Sequence, residues 1–467
     1  MILVTGGAGY IGSHCALALL EQGNDIIIFD SLELGHKETV ENLKAINSKG
    51  KIIDFIQGNL QNFDDINSVF KKHKIDAVIH FAAFSQVGES VKNPQKYYFN
   101  NVYGSLNLFK AMLENDVKKI VFSSTAATYG EPEYIPIDEN HPQNPINPYG
   151  SSKLMIERIL DDYDKAYGLR SVRLRYFNVA GADSQSRIGE WHEPETHLIP
   201  NILKSTFSSG KTFEMYGTDY DTVDGTCVRD YINIEDLANA HLLALNYLKN
   251  GGKTNYFNLG TTNGNSVKQV FSACEKVTGK TIPVNVMGRR EGDPASLVAD
   301  NKKAIETLKW APKKTLENSV DSAYNWETIL QNKYLNEDCI DSIYGLLMSR
   351  FTLEFNKHIP CAFKGAAYFT SDIAAEINYR KSIGYYTALE YYAKEYMESK
   401  YYHNKTESEI IESLKEHKVP YVCVVGDKEQ ESNAVAVRKR AVGQVGTFNV
   451  DEFIEKILTE IKERVSD

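Results

Sequence analysis

The fold class this sequence predicts is α/β: a Rossmann-type doubly wound parallel sheet with a smaller substrate-binding region and a further α/β extension at its C-terminal side. Three observations carry the prediction. Short apolar runs alternate with helix-length stretches through residues 1–178, as parallel strands joined by crossover helices require. Three glycines, Gly6, Gly9 and Gly12, stand between the first apolar run and the first helix, and Asp30 closes the second run about twenty residues later.

Taken in order, Ile2 to Thr5 is the first strand and a helix runs from Ser13 to about Gln22. Between them the glycines permit a tight turn, let backbone amides approach a pyrophosphate and let the helix pack near the strand. The helix N-terminus then faces negative charge. Asp25 to Phe29 is the second strand, and Asp30 after it can accept both hydroxyls of an adenosine ribose while repelling a 2′-phosphate. NAD is therefore expected rather than NADP. Ile52 to Ile56 reads as a strand, with Asn59 just beyond it near the adenine; Phe63 to His73 reads as a helix and Ala77 to Phe81 as a strand. Ala82 and Ala83 let the next loop pass close to the cofactor, or simply pack tightly. A long helix is expected from Pro94 to about Asn115, with Asn100 and Asn101 near its start.

Lys119 to Ser124 is a buried strand that delivers Ser123, Ser124 and Thr125 to the crevice beyond the strand ends, where open sheets bind ligands. A proline-rich loop, Pro142 to Pro148, leads into a helix carrying Tyr149 and Lys153 and running to about Tyr167. Residues four apart share a helix face, so the Lys153 ammonium can stabilise the Tyr149 phenolate. A free tyrosine titrates near ~10; work as a base near neutrality asks for a fall of about three units, or roughly 4 kcal/mol. With Thr125 alongside, these side chains suit removal of a proton from an alcohol. Tyr-x-x-x-Lys alone is also what an ordinary helix shows, so the surrounding motifs decide. Ser171 to Tyr176 is the next strand; beyond Asn178 the chain reads as less regular.

Several segments together resemble the extended short-chain dehydrogenase/reductase family and, within it, its UDP-glucose 4-epimerase branch. They are Thr5 through His14, His80-Phe81-Ala82-Ala83, Val87 through Val91, Tyr149 with Lys153, Arg175-Tyr176-Phe177-Asn178, Asp224 through Tyr231 and Arg289 through Pro294. The match covers residues 1 to roughly 330. It implies bound NAD⁺, inversion of carbon 4 of a UDP-hexose through a 4-keto intermediate, a place in galactose metabolism, and a homodimer formed through the helices after Pro94 and Tyr149. Thr125, Tyr149 and Lys153 are the implied catalytic residues. Implied cofactor contacts, besides the glycines, Asp30, Asn59, Ala82, Ala83, Tyr149 and Lys153, are Tyr10, Ile11, Ser31, Leu60, Phe81, Ser85, Asn100, Ser123 and Phe177. Implied substrate contacts, besides Thr125, are Asn178, His197, Leu198, Tyr216, Arg229, Arg290, Asp293 and Leu297, with the arginines gripping the diphosphate. Two positions depart from the pattern. Ser85 stands where many such epimerases have Lys, which removes a cofactor contact, and Leu297 stands where some have a pocket-closing Tyr. The smaller Leu297 suggests activity on UDP-N-acetylhexosamines as well. A sugar-nucleotide dehydratase is the nearest alternative, but those usually carry an acidic pair after the Ser/Thr, and here Ala126-Ala127 follow Thr125.

The chain has 467 residues, 42% hydrophobic and 24% charged, and a net charge of −10 with pI about 5.7. That acidity argues against a chain-wide nucleic-acid or anionic-membrane binder. No apolar run reaches membrane-spanning length, and the N-terminus shows no secretory signal. The six cysteines are scattered without CxxC pairs, as in a reduced cytoplasmic protein. His192 through His197 holds two His and two Glu but lacks HExxH spacing, so no metal is expected. The domain reading is 1–178 NAD-binding, 179–330 substrate-binding, 331–405 a helical Tyr-rich connector and 406–467 an α/β segment. In the last, Pro420 through Glu429, Val435 through Arg440 and Gly446-Thr447 resemble half of a class II aminoacyl-tRNA synthetase anticodon-binding domain, of threonyl type. Strands are expected at Tyr421 to Val425 and Ala434 to Arg440, then a helix from about Asp451. The synthetase catalytic motifs are absent, and an RNA role is not expected.

Overall fold

Every residue of β1 (Ile2–Thr5) is buried, as befits a strand covered by helices on both faces. The structure, a computed structural model, describes residues 1–207, 212–289 and 293–331, with the backbone of three strands between 421 and 449. Its two compact units are Met1–Ile329 and Leu330–Asp467.

In the first unit β1 is followed by β2 (Ile26–Asp30), β3 (Ile52–Gln57), β4 (Ala77–His80), β5 (Lys119–Thr125) and β6 (Arg170–Tyr176). The short β7 (Asn178–Ala180), β8 (Phe213–Tyr216), β9 (Val228–Arg229) and β10 (Tyr231–Asn233) intervene before β11 (Asn255–Leu259) returns to the sheet. The seven-stranded order is β11-β6-β5-β4-β1-β2-β3, and its pairs are parallel. Strand order reverses between β1 and β4, so the crevice for a ligand opens beyond their carboxyl ends.

The helices in order include α1 (Tyr10–Glu21), α2 (Lys37–Ala45), α3 (Phe63–Lys72), α4 (Val87–Lys92), α5 (Pro94–Tyr97), α6 (Gly104–Glu114), α7 (Pro148–Tyr167), α8 (Leu198–Ser205), α9 (Ile234–Lys249), α10 (Val267–Thr278) and α11 (Lys302–Leu308). Alternation along β1 and β2 feeds two apolar layers. Ile2, Val4, Ile26 and Ile28 pack with Leu17 and Leu20 of α1 and Leu237 and Leu245 of α9. Leu3 and Ile27 face the other way, onto Val69 of α3, Phe109 of α6 and Leu160 of α7.

Three elements differ from the sequence expectation. The helix expected from Pro94 to Asn115 is interrupted by a π-helical turn, Tyr98–Tyr103, a local widening of the kind found at functional sites. There the Asn101 amide accepts from Phe84 N at 2.9 Å and donates to Phe84 O and Ser152 Oγ, each at 3.0 Å. Next, the chain beyond Asn178 is more regular than it reads: α9 and β11 are part of the core. Asn255-Tyr256-Phe257-Asn258-Leu259 mixes polar and apolar residues, and its pairing with β6 decides its state. Finally, the first helix begins at Tyr10 rather than Ser13.

Short strands complete the rim: β12 (Asn265–Ser266), β13 (Val284–Met287) and β14 (Ser296–Leu297). β9 lies between β12 and β14, and β13 pairs with β8. In the second unit β15 (Tyr421–Val424), β16 (Ala434–Lys439) and β17 (Gly443–Asn449) form an antiparallel sheet in that order. β17 adds a strand to the two expected. The Tyr-rich connector, Arg440 and the helix expected from Asp451 lie outside the described residues. Among the described residues no helix is long and apolar enough to cross a membrane.

Candidate active site

A cavity of about 1090 Å³ opens at the carboxyl ends of the central strands, larger than the ~300–1,000 Å³ that suits one small ligand. Its cofactor end is made by the turn from β1 into α1. Gly6 has φ +73°, and a Cβ there would lie 2.6 Å from Ala82 N, so the turn needs glycine. At Gly9 a Cβ would meet Gly6 O, at 3.5 Å, and otherwise open space, which leaves the backbone bare toward the cavity. Gly9 is also the N-cap of α1, and no side chain caps that helix; its first amides are left to face an anion. Asp30 is buried at the end of β2 and accepts from Ala8 N and Leu32 N, each at 2.9 Å. Burial raises its pKa, while those amides and His36 pull it back. The carboxylate is thus fixed in place with lone pairs remaining for ribose hydroxyls. These residues fit a dinucleotide with an unphosphorylated ribose.

The chemical end rests on β5 and α7. α7 starts where Asn147 accepts from Gly150 N at 2.8 Å, with Pro148 in its first turn, and stops at Gly168, whose φ is 69°. Along it, Tyr149 and Lys153 both line the cavity with Thr125 from β5. Lys153 is 2% exposed and donates to Ser123 O at 2.8 Å. The Ser123 hydroxyl bonds the Tyr176 hydroxyl. Lys153 Nζ stands 6.0 Å from the Tyr149 ring centroid. Burial pushes the Tyr149 phenol up to about 12, against a hydrogen bond with Thr125 that lowers it. Burial also brings Lys153 down to about 7, against the attraction of Glu157. In the protein alone, burial therefore outweighs the Thr125 hydrogen bond, and the phenol is not depressed.

The opposite side holds the expected sugar-nucleotide residues. Asn178, His197, Leu198, Arg229, Asp293 and Leu297 line the same cavity. Arg229 donates to Asp293 Oδ1 at 2.8 Å and to its neighbour Val228 O at 2.9 Å, so a diphosphate would compete with Asp293 for the guanidinium. Leu297 lies beside Arg229 across β14 and β9 and packs with Phe177 on Ala126 and Tyr129. Tyr216 stands on β8 with its hydroxyl on Glu214 and is not among the residues that line the cavity. Arg290 lies outside the described residues. The implied cofactor contacts Tyr10, Ile11, Ser31, Asn59, Leu60, Phe81, Ala83, Ser85 and Asn100 all line the cavity.

Residues 2–260 match the NAD dependent epimerase/dehydratase family. The chain belongs to that family. It is 51% identical over 338 residues to a UDP-glucose 4-epimerase of Halalkalibacterium halodurans, covering 72% of this chain and 98% of the relative. Among solved structures, UDP-glucose 4-epimerase from Bifidobacterium longum in complex with NAD⁺ and UDP aligns with TM-score 0.67 and 40% identity, covering 71% of this chain and 99% of that one. The UDP-Glc/GlcNAc 4-epimerase from Campylobacter jejuni aligns with TM-score 0.61 and 42% identity, over 70% and 98%. Residues 396–460 match the anticodon binding domain family.

Sequence reasoning missed the layer beneath Tyr149 and Lys153. Glu157, one turn beyond Lys153 on α7, is buried and takes Arg175 Nε at 2.9 Å on Oε1 and 3.2 Å on Oε2. Ser124 donates to the same carboxylate. Arg175 Nη1 reaches the Tyr129 hydroxyl at 2.9 Å, and that hydroxyl reaches Asn258 at 2.6 Å. The four-residue step from Lys153 to Glu157 was the available signal. Also unforeseen, Glu190, His192 and Glu195 line the cavity beside His197.

Proposed function

We propose that the chain interconverts UDP-glucose and UDP-galactose as an NAD-dependent 4-epimerase. The carrying observation is that Thr125, Tyr149 and Lys153 meet in the wall of the cavity whose far end is the glycine turn and Asp30. When bound, NAD⁺ supplies the acceptor and then the donor of the carbon 4 hydride and adds positive charge nearby. Tyr149 takes the proton of the 4-hydroxyl and returns it after the 4-keto sugar has turned over. Thr125 orients the sugar hydroxyl. Lys153, held by Ser123 O, contributes positive charge that favours the phenolate. Arg229 holds the diphosphate end, so the hexose can rotate while its anchor stays put. In UDP-galactose conversion without added reductant, Tyr149→Phe is expected to lose about 10³-fold in kcat while keeping NAD. No conversion by the unaltered chain would overturn the reading.

The substrate range extends, in this reading, to UDP-N-acetylhexosamines. Leu297, packed with Phe177 against Ala126, lines the cavity with a side chain smaller than tyrosine, and the Campylobacter jejuni relative is named for both sugars. The catalytic unit works as a homodimer. Tyr98, Phe99, Val102, Tyr103, Leu106 and Met155 line a shallow apolar site across the π-helical turn, α6 and α7, with Phe99 51% exposed. Phe99→Asp is expected to yield monomers by light scattering.

A further inference from the structure

Four side chains to which the proposed reaction gives no chemical step converge at the cavity's sugar-nucleotide side. Glu190, His192, Glu195 and His197 each place one donor atom so that all four lie within 4.8 Å of one another. His192 Nδ1 is 3.3 Å from Glu190 Oε1 and 4.0 Å from Glu195 Oε2. His197 Nδ1 is 2.5 Å from Glu190 Oε1 and 3.4 Å from Glu195 Oε1. These separations would ordinarily signal hydrogen bonds. Yet Glu190 Oε1, His192 Nδ1 and Glu195 Oε2 are buried and make no hydrogen bond of acceptable angle with the described residues. Glu190 is 8% exposed, so its carboxylate is cut off from solvent that could serve instead.

The four donor atoms are close enough together to share one ion. An ordinary His197 to Glu190 ion pair would account for those two residues alone and leave His192 Nδ1 and Glu195 Oε2 without a partner. Lys204 Nζ approaches only the Glu195 carboxylate, at 3.9 Å. Two carboxylates and two imidazoles that give up any proton on binding balance a doubly charged ion, and a mixed nitrogen and oxygen set with no thiolate suits zinc and its neighbours rather than magnesium or calcium. The segment is braced from outside as well: Trp191 stacks on His36 with ring centroids 3.8 Å apart, and Trp326 Nε1 donates to Glu190 O at 2.9 Å.

We propose that Glu190, His192, Glu195 and His197 form a site for one divalent transition-metal ion, zinc fitting best, which fastens the 190–197 segment to the cavity wall. Binding through Nδ1 of His197 leaves Nε2 of that ring, and Leu198 after it, to meet the sugar nucleotide. The ion is structural, as four protein ligands imply.

The test uses the full-length chain, freed of metal with a chelator and titrated with Zn²⁺. One zinc per chain is expected, with an X-ray absorption shell of nitrogen and oxygen at ~2.0–2.2 Å and no sulfur at ~2.3 Å. That second criterion separates this site from the cysteines. His192→Ala and Glu190→Gln are each expected to weaken binding about 100-fold or more, since even outer partners of metal ligands cost ~10–100-fold. His192 is partly exposed, so its variant decides the matter if the Glu190 variant does not fold. Absence of stoichiometric zinc, a sulfur shell, or unchanged affinity in His192→Ala would overturn the proposal.

Discussion

The two sides of the cavity are built to different standards. On one, β5 and α7 bury Ser123, Ser124, Thr125, Lys153 and Glu157, with consecutive hydrogen bonds linking the strand to the helix. On the other, Arg229 and Leu297 stand on two-residue strands, and Asp293 is 41% exposed. The reacting atoms need fixed geometry, and long elements packed on a sheet supply it. Recognition of a sugar tolerates short strands and loops, and there the side chains can be exchanged without disturbing the core.

This contrast predicts that the same kind of substitution costs very different amounts on the two sides. Glu157→Gln removes the charge facing Arg175, which is itself buried. Breaking a buried pair from one side costs about 3 kcal/mol or more, because the remaining charge is left uncompensated. Asp293→Asn breaks a comparable 2.8 Å contact to Arg229, but with one partner well exposed the loss should stay below about 1 kcal/mol. Chemical denaturation of both variants measures the difference. Equal losses would show that burial does not separate the two sides.

The same division governs what could be read in the sequence. The glycine turn, Asp30 and the Tyr149 to Lys153 step are local patterns, and all of them line the cavity. Local spacing fixes them, so they were legible. The pairing of Glu157 with Arg175 is a contact across the fold, which spacing does not encode, and Glu190 meets His197 within an irregular segment whose course no periodicity gives. β11 shows the same limit, since its core position comes from pairing with β6. Tyr149 shows the limit again: spacing places an amine four residues on but says nothing of burial, which is the largest influence on the phenol in the cofactor-free protein.

Lys153 allows a test of how completely its side is buried. Its pKa falls from 10.5 to about 7 in the folded protein. Between those values the unfolded chain holds a proton that the folded one does not, so stability rises with pH, and the folded state is disfavoured as pH falls toward 7. For cofactor-free protein this residue alone should add about 1.5 kcal/mol from pH 7 to about 8.5, above which unfolded thiols begin to ionise. Lys153→Met should flatten that rise in melting or denaturant curves. A slope unchanged by the substitution would mean that water reaches the amine, and that this side is no drier than the other.

The smallest expected effect belongs to the open side and concerns selectivity. Leu297 borders Ala126 and Phe177, close to where the hexose would turn. Leu297→Tyr adds a bulky ring to that space, which an N-acetyl group would also need. The variant should lower kcat/KM for UDP-N-acetylgalactosamine relative to UDP-galactose by about tenfold, within the range that pocket size alone can discriminate. Its stability should change little, since Leu297 is only partly buried. A loss shared equally by both sugars would place Leu297 with the rigid side, whereas a selective loss at unchanged melting temperature assigns it to recognition.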